Sequence, residues 1–370
     1  MNTQLSNEDL GKRLLSLDMM RGVIMFLLMV EAAGLYDILY NDTYFSSIHI
    51  VSEQFHHHPW NGLRFWDLIQ PAFMFMAGTA MAYSVSRMTD KGFSKRTITI
   101  KMLKRSGWLF FWGVLNYAVK KEGLAFELWN VLTQLSVTLL ISYLMFSWNY
   151  RTQIIFSIGI LLLTEILYRF THVPGFDQPF TDQYNFGNYI DLLLMGKING
   201  GGWVAINCLP TAVHTIAGAL VGKLLMSGST EKIKQLLIWG FVTLIAGYSL
   251  DFTGITPIIK RIATTSFTLA SLGWCLIILA TFYYIIDIKN KQHGLAFFAT
   301  LGMNSIFIYL FFEIVGSRWF NGYVTAITGG LLNFVHVTET WKGIIGALTI
   351  IILEWQLCFF LYKKKIFFRL

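Results

Sequence analysis

Long apolar stretches recur along the whole chain and are separated by short polar or charged segments. About 20 consecutive apolar residues are enough for a helix to cross a bilayer. We place about ten such spans, near residues 18–37, 64–85, 107–119, 129–148, 153–170, 203–226, 235–251, 263–287, 295–316 and 343–362. The pattern predicts an all-α polytopic membrane protein. Because no polar stretch is long enough to bury a core of its own, we expect one transmembrane domain over residues 1–370.

Composition and charge support this class and suggest an orientation. The chain is 55% hydrophobic and only 14% charged, whereas about 25% is usual in soluble domains. Its basic residues cluster in alternate loops, among them Lys12 and Arg13, the stretch from Arg87 to Arg105, and the tail from Lys363 to Arg369. Basic loops stay on the cytoplasmic side, so we expect both termini to be cytoplasmic. The net charge of +8 then reflects membrane topology and not nucleic-acid binding.

The segment HHHPWNGLRFWDL, residues 56–68, gathers polar groups at the outer end of the second predicted span. A neutral imidazole can accept a proton or attack a thioester carbonyl near neutral pH. Adjacent histidines rarely converge on one ion and no HExxH spacing is present, so we expect no metal. Asp67 is expected to point into the bundle, where it either orients an imidazole or forms an ion pair with a basic neighbour. By itself the segment also fits a polar surface loop.

Three further charged features accompany it. Asp18 and Arg21 have the i,i+3 spacing of an intrahelical ion pair. Glu31 lies near the outer end of the first span, where an intramembrane carboxylate suggests function. The stretch from Arg87 to Arg105 fits two roles, contact with anionic lipid or binding of the phosphates of a cytoplasmic cofactor. A long outer loop, residues 171–202, is aromatic and polar, which suits sugar binding but is also ordinary for surface loops.

Several stretches together resemble the heparan-α-glucosaminide N-acetyltransferase family, a branch of the membrane-bound acyltransferases. The resemblance rests on the opening RLLSLDMMRG and on His57, Trp60, Gly62 and the pair Asp67-Leu68. It continues, in family order, through RSGWLFFWGVLNY (105–117), NVLTQLSVTLLISYL (130–144), the stretch from Leu209-Pro210 to GALVGKLL (218–225), TPIIKRIATTSF (256–267) and LGMNSIFIYLFFE (301–313).

The resemblance implies a transmembrane acetyl transfer. Acetyl-CoA would donate from the cytoplasm to a glucosamine-type amine or a sugar hydroxyl on the other side. His57 corresponds to the catalytic histidine of the family, and we expect Asp67 to orient it. The other expected site residues are Asn61 for the oxyanion, Trp60 and Glu31 toward the acceptor, and Lys101, Lys104, Arg105 and Arg21 for the CoA phosphates.

Three positions depart from the family pattern. Glu31 stands where an asparagine is common, Leu135 where an arginine is expected, and His214 where a small residue is expected. The departures leave the acceptor and the acyl group open.

Two other functions compete with the enzyme. One is a secondary transporter for a sugar or amino sugar, and the other is an inactive subunit of an envelope polysaccharide system. The expected partners are a sugar acceptor and membrane lipid, without nucleic acid, and a homodimer is left open. Short loops suggest a bacterial inner membrane.

Overall fold

The computed structural model describes residues 14–120 and 123–368. Lys12, Arg13 and Arg369, which contributed to the predicted orientation, lie outside these residues. Contacts divide the described chain into two compact units. The first contains residues 14–57, 64–66 and 281–368, and the second contains residues 58–63, 67–120 and 123–280. Each unit is described below by itself.

The first unit is helical. Its elements are α1 (Leu15–Ala32), α2 (Leu35–Asn41), α3 (His49–Ser52), α12 (Leu295–Met303), α13 (Ser305–Leu310), α14 (Asn321–Asn333) and α15 (Glu339–Lys363), with 3-10 turns at Thr43–Ile48 and Glu53–Phe55 and π-helical turns at Tyr283–Ile288 and Phe311–Phe320. Helix α1 packs on α12, and α14 packs on α15. At the start of α1, the carboxylate of Asp287 accepts hydrogen bonds from the backbone N–H groups of Leu15 and Ser16. These N–H groups belong to the first turn, where they have no partner within the helix.

The second unit is also helical and carries one small hairpin. Its elements are α4 (Ile69–Asp90), α5 (Lys95–Ala118), β1 (Val119–Lys120), β2 (Gly123–Leu124), α6 (Val131–Met145), α7 (Tyr150–Phe170), α8 (Phe186–Met195), α9 (Cys208–Met226), α10 (Lys232–Phe252) and α11 (Thr265–Phe282), with a 3-10 turn at Ala205–Asn207 and the last two residues of the 3-10 turn Phe65–Leu68. The strands pair antiparallel, Val119 opposite Leu124. Helix α8 lies within the predicted outer loop, and Asn185 and Asn188 form a capping box at its start.

Close packing of α4 against α9 forms the centre of the second unit. A side chain at Gly218 would collide with the carbonyl of Phe75 on α4. The hydroxyl of Thr79 donates to the carbonyl of Gly218 at 3.0 Å. Small residues at such a crossing let two helix backbones approach closely, which is a common arrangement in membrane bundles.

The all-α class is confirmed, and the candidate membrane spans number six to eight among the described residues. Six helices are long and apolar enough: Phe65–Asp90, Tyr150–Phe170, Ala205–Met226, Lys232–Phe252, Thr265–Ile288 and Glu339–Lys363. Two bent pairs, Leu15–Ala32 with Leu35–Asn41 and Leu295–Met303 with Ser305–Asn333, add one span each if each pair crosses as a unit.

The count of about ten spans is not confirmed, because two of the predicted spans, 107–119 and 129–148, lie on helices that are not among these candidates. Helix α5 begins with the basic stretch KRTITIKMLKR, and it is not among the helices that are long, apolar and poor enough in charge to be candidate spans. Helix α6 has 15 residues, which at 1.5 Å per residue reach only about 22 Å, short of the hydrocarbon core.

Candidate active site

Asp67 is the most buried charged group of the histidine segment. It lies in the 3-10 turn Phe65–Leu68 that precedes α4, and its side chain is 1% exposed. Its Oδ1 lies 3.5 Å from the Nζ of Lys260, whose side chain is 6% exposed. Its Oδ2 accepts the backbone N–H of His58 at 3.2 Å. Of the two roles considered from the sequence, the structure therefore contains the ion pair with a basic neighbour.

Gly62 and Trp60 attach the histidine segment to two other parts of the second unit. The N–H of Gly62 donates to the carbonyl of Ile258 at 2.8 Å, and the indole N–H of Trp60 donates to the carbonyl of Phe180 at 2.8 Å. Gly62 has a φ of +147°, and a Cβ added there would lie 2.6 Å from Nε2 of His58. The backbone conformation favours glycine at this position, and any side chain here would also require the adjacent imidazole to move.

Lys260 is a site residue that sequence reasoning missed. It lies in the irregular linker between α10 and α11, within the mostly buried stretch 256–264, and its Nζ lies 5.5 Å from the ring centroid of Trp203. The hydroxyl of Thr264 shapes the linker by donating to the carbonyl of Pro257 at 2.7 Å and accepting the N–H of Ile259 at 3.0 Å. The available signal was a lysine inside the apolar stretch TPIIKRIA, where a charge needs a counter-charge.

His57 belongs to the first unit, and its side chain is exposed. Its carbonyl accepts the Nη1 of Arg64 at 3.0 Å, and Arg64 also forms an ion pair with Glu53 through Nη2. The backbone of His57 is thus held by the guanidinium of Arg64, whose charge is balanced by Glu53.

His56 is held on both ring nitrogens. Its Nε2 lies 3.1 Å from Oδ1 of Asp37, and its Nδ1 lies 3.2 Å from the carbonyl of Ser52. The ring of Tyr40 packs against His56 at 4.5 Å and stacks on His49 at 4.6 Å between centroids. These contacts give His56 a packing role in the first unit, distinct from the exposed ring of His57.

Glu31 contacts the indole of Trp66 at the end of α1. The Nε1 of Trp66 donates to Oε1 of Glu31 at 3.0 Å. Tyr36 packs edge-on against Trp66 at 5.2 Å and stacks on Phe55 at 4.6 Å between ring centroids. Glu31, the residue that departs from the family asparagine, therefore lies beside an aromatic cluster of the first unit.

The remaining predicted site residues are spread over both units. Asn61, Lys101 and Lys104 are exposed, and Arg105 is half-buried on α5. Lys101 lies 4.2 Å from the ring centroid of Phe93. On α1, Arg21 lies 3.8 Å from Asp18 and donates to the carbonyl of Gly302, so the predicted i,i+3 ion pair is present.

The departure at position 214 has a local explanation. His214 is fully buried on α9, and its Nε2 lies 2.8 Å from the hydroxyl of Ser271 on α11. The side chain bridges two helices of the second unit. In the described part of the chain, no group of three or more histidine, cysteine or acidic side chains has the arrangement needed to hold a metal ion.

Comparison with known proteins shows which family this chain resembles in sequence. A sequence profile described as "Heparan-alpha-glucosaminide N-acetyltransferase, catalytic" matches residues 13–199, which include the whole histidine segment. The chain is 23% identical over 384 residues to the heparan-alpha-glucosaminide N-acetyltransferase of Mus musculus and 24% identical over 385 residues to that of Homo sapiens. Each alignment covers 85% of this chain and 56% of the relative, so the chain spans about half the length of these relatives.

Proposed function

We propose that this chain, which belongs to the heparan-alpha-glucosaminide N-acetyltransferase catalytic family, transfers an acetyl group across a membrane. The donor is cytoplasmic acetyl-CoA, and the acceptor is an amino sugar or sugar hydroxyl on the extracytoplasmic side. The observation that carries the proposal is the family match over half of the chain, whose described residues contain six to eight candidate spans. Such a chain is an integral membrane protein, and we place it in a bacterial inner membrane.

His57 is the residue to which we assign the transfer. Its exposed imidazole attacks the thioester carbonyl, forming a C–N bond while the C–S bond breaks. The imidazole proton goes to the departing thiolate, which leaves as CoA. An acceptor amine then attacks the carbonyl of the acetyl-imidazole, the C–N bond to His57 breaks, and the proton lost by the amine goes to the imidazole, which restores neutral His57. The alternative is a ternary complex in which His57 only removes the proton of the acceptor.

Asp67 supports His57 in this proposal. One route for its action is the N–H of His58, which donates to Asp67 and belongs to the peptide that joins His57 to His58. A hydrogen bond to a carboxylate is stronger than one between neutral groups, so it restrains this peptide well. Asn61 is exposed in the same segment and is proposed to donate to the developing oxyanion. Trp60 and Glu31 are proposed to face the sugar.

The CoA phosphates are assigned to basic side chains near the predicted cytoplasmic ends of α1 and α5. Lysine and arginine both suit phosphate, and arginine adds a bidentate geometry. The exposure of Lys101 and Lys104 leaves their ammonium groups accessible. Arg105 and Arg21 complete the proposed set.

Acetyl transfer by the purified chain tests the proposal. The chain in detergent is incubated with acetyl-labelled acetyl-CoA and a panel of amino sugars and sugars, and free CoA is measured with a thiol reagent. We expect label in at least one acceptor. Label that remains on the protein without acceptor supports the acetyl-histidine route, whereas its absence favours the ternary complex. No transfer to any acceptor or to the protein, combined with sugar uptake by liposomes, would establish a transporter instead.

A further inference from the structure

Both side chains of the ion pair between Lys260 and Asp67 are almost fully shielded from solvent. The two charged groups are 6% and 1% exposed, and Nζ and Oδ1 are 3.5 Å apart. Removing two charges from water costs more than their attraction returns unless further contacts compensate, so a buried pair is weak evidence for stability alone. The indole of Trp203, 5.5 Å from Nζ, supplies a second contact for the ammonium.

The linker that carries Lys260 holds the histidine segment at two points. One is the ion pair with Asp67, whose other oxygen accepts the N–H of His58. The other is the carbonyl of Ile258, which accepts the N–H of Gly62. The path from Lys260 through Asp67 to the backbone of His58 consists of one ion pair and one charge-assisted hydrogen bond. It ends at the peptide that follows His57.

We infer that Lys260 is a positioning residue for the acetyl transfer, acting through Asp67 on the peptide that carries His57. The inference rests on the proposed function. Without the ammonium, the carboxylate loses the counter-charge that keeps it in place, and the His58 amide loses a fixed acceptor. A displacement of about 1 Å at a reacting group can cost roughly 100-fold in rate. Substrate binding by other residues is left intact.

Lys260→Met is the test variant, and Lys197→Met is its matched control. Lys197 belongs to the same unit and also combines a carboxylate with an indole, since its Nζ lies 2.8 Å from Oε1 of Glu127 and 5.7 Å from the ring of Trp129. We expect Lys260→Met to lower kcat roughly 100-fold with little change in the KM for acetyl-CoA. We expect Lys197→Met to leave both constants near wild type.

A spin label gives a readout that needs no enzymatic activity. It is attached to Asn61→Cys, in a background where Cys208, Cys275 and Cys358 are replaced by alanine. We expect the label to be more mobile in Lys260→Met than in the parent protein, and unchanged in Lys197→Met. Acetyl transfer is measured in the unlabelled wild-type protein, which keeps Asn61; if it transfers no acetyl group, the proposed function fails, while the label still decides whether Lys260 holds the segment. An immobile label in Lys260→Met would overturn the inference.

Two further variants separate positioning from general damage. Lys260→Met combined with Asp67→Asn removes both charges of the buried pair together, which favours folding even where the single variant fails. If Lys260 acts through Asp67, kcat in this double variant equals kcat in Asp67→Asn alone. A fold reduction of kcat equal to the product of the reductions in the two single variants would contradict the inference. Lys260→Arg retains the charge, so we expect the label to stay immobile and kcat to remain within about tenfold of wild type. A mobile label in folded Lys260→Arg would also contradict it.

Discussion

The ammonium of Lys260 lies 3.5 Å from the carboxylate of Asp67, and both groups are almost fully buried. Asp67→Asn removes one partner of a buried ion pair, which typically costs about 3–5 kcal/mol. We expect a marked fall in the thermal unfolding midpoint in detergent. Glu127→Gln is the matched control: its partner Lys197 is 38% exposed, so water replaces much of the lost attraction and the fall should be small. Equal falls of the unfolding midpoint in both variants would show that burial does not make the pair of Lys260 and Asp67 more important for stability than the pair of Lys197 and Glu127.

His57→Ala tests the assignment of the transferring residue. The side chain is exposed, so its removal should leave the unfolding midpoint within about 1 °C of wild type. We expect acetyl transfer to fall by at least about 100-fold, the usual contribution of a positioned acid–base group. His56→Ala is the control, because its ring is held by Asp37 and Ser52 and packs on Tyr40. Retained activity in His57→Ala would transfer the assignment to His56 or His58.

Gly62→Ala combines an unfavourable backbone conformation with a collision against His58. Gly123→Ala separates the two effects, because Gly123 also has a positive φ, +129°, but an added Cβ meets nothing within 4 Å. The backbone effect alone costs about 1–3 kcal/mol. We expect Gly62→Ala to be the more destabilising variant in thermal unfolding and, unlike Gly123→Ala, to lose acetyl transfer. Equal behaviour would show that the contact with His58 is unimportant.

Asp191 makes stability depend on pH. It lies on α8, outside the candidate spans, and burial raises its pKa from 3.8 to about 6 even though Trp129 and Ala205 donate hydrogen bonds to it. Between about pH 4 and 6 the folded state keeps a proton that the unfolded state has lost, so stability falls as pH rises through this window. The penalty is at most about 3 kcal/mol.

Asp191→Asn removes the titrating group and should therefore flatten the pH profile of the unfolding midpoint. The comparison uses the slope between about pH 4 and 6, because the substitution also changes the hydrogen bonds of Trp129 and Ala205 at every pH. A parallel displacement of the two profiles, without a change in slope, would show that Asp191 does not titrate in this window.

The proposed role of the basic residues of α5 is tested by measuring the KM for acetyl-CoA. Lys101→Ala combined with Lys104→Ala removes two proposed phosphate contacts and should raise the KM for acetyl-CoA about tenfold or more, at nearly constant kcat. Lys91→Ala is the control, since Lys91 is exposed in the turn before α5 and has no proposed ligand. An unchanged KM in the double variant would favour the other role of this stretch, contact with anionic lipid.

Much of the fold could be predicted from local pattern, and the predictions that are not confirmed have local causes. Apolar runs placed the helices Tyr150–Phe170 and Lys232–Phe252 within a few residues. The same reasoning counted α6 as a span, although an apolar run of this length also suits a short buried helix. The hairpin of β1 and β2 was missed, because a two-residue strand has no detectable alternation.

The site was only partly predictable for a similar reason. The importance of His57 and Asp67 was inferred from adjacent residues in one short segment and from a resemblance to a family. Lys260 was recognised as basic, but nothing near it in the sequence indicated its partner. Its pairing with Asp67 connects segments that are far apart in the chain, and local periodicity carries no information on such contacts.

The amino-acid sequence by itself determined the membrane class, the helical architecture and the family, because hydropathy and short motifs are local properties. The tertiary structure alone decided which charge lies beside Asp67, where the N–H of His58 is bound and why the backbone at position 62 favours glycine. These depend on the folding of the linker at Lys260 against the segment that begins at His58. A buried carboxylate takes the counter-charge that packing brings within reach, and only the packed chain shows which one that is.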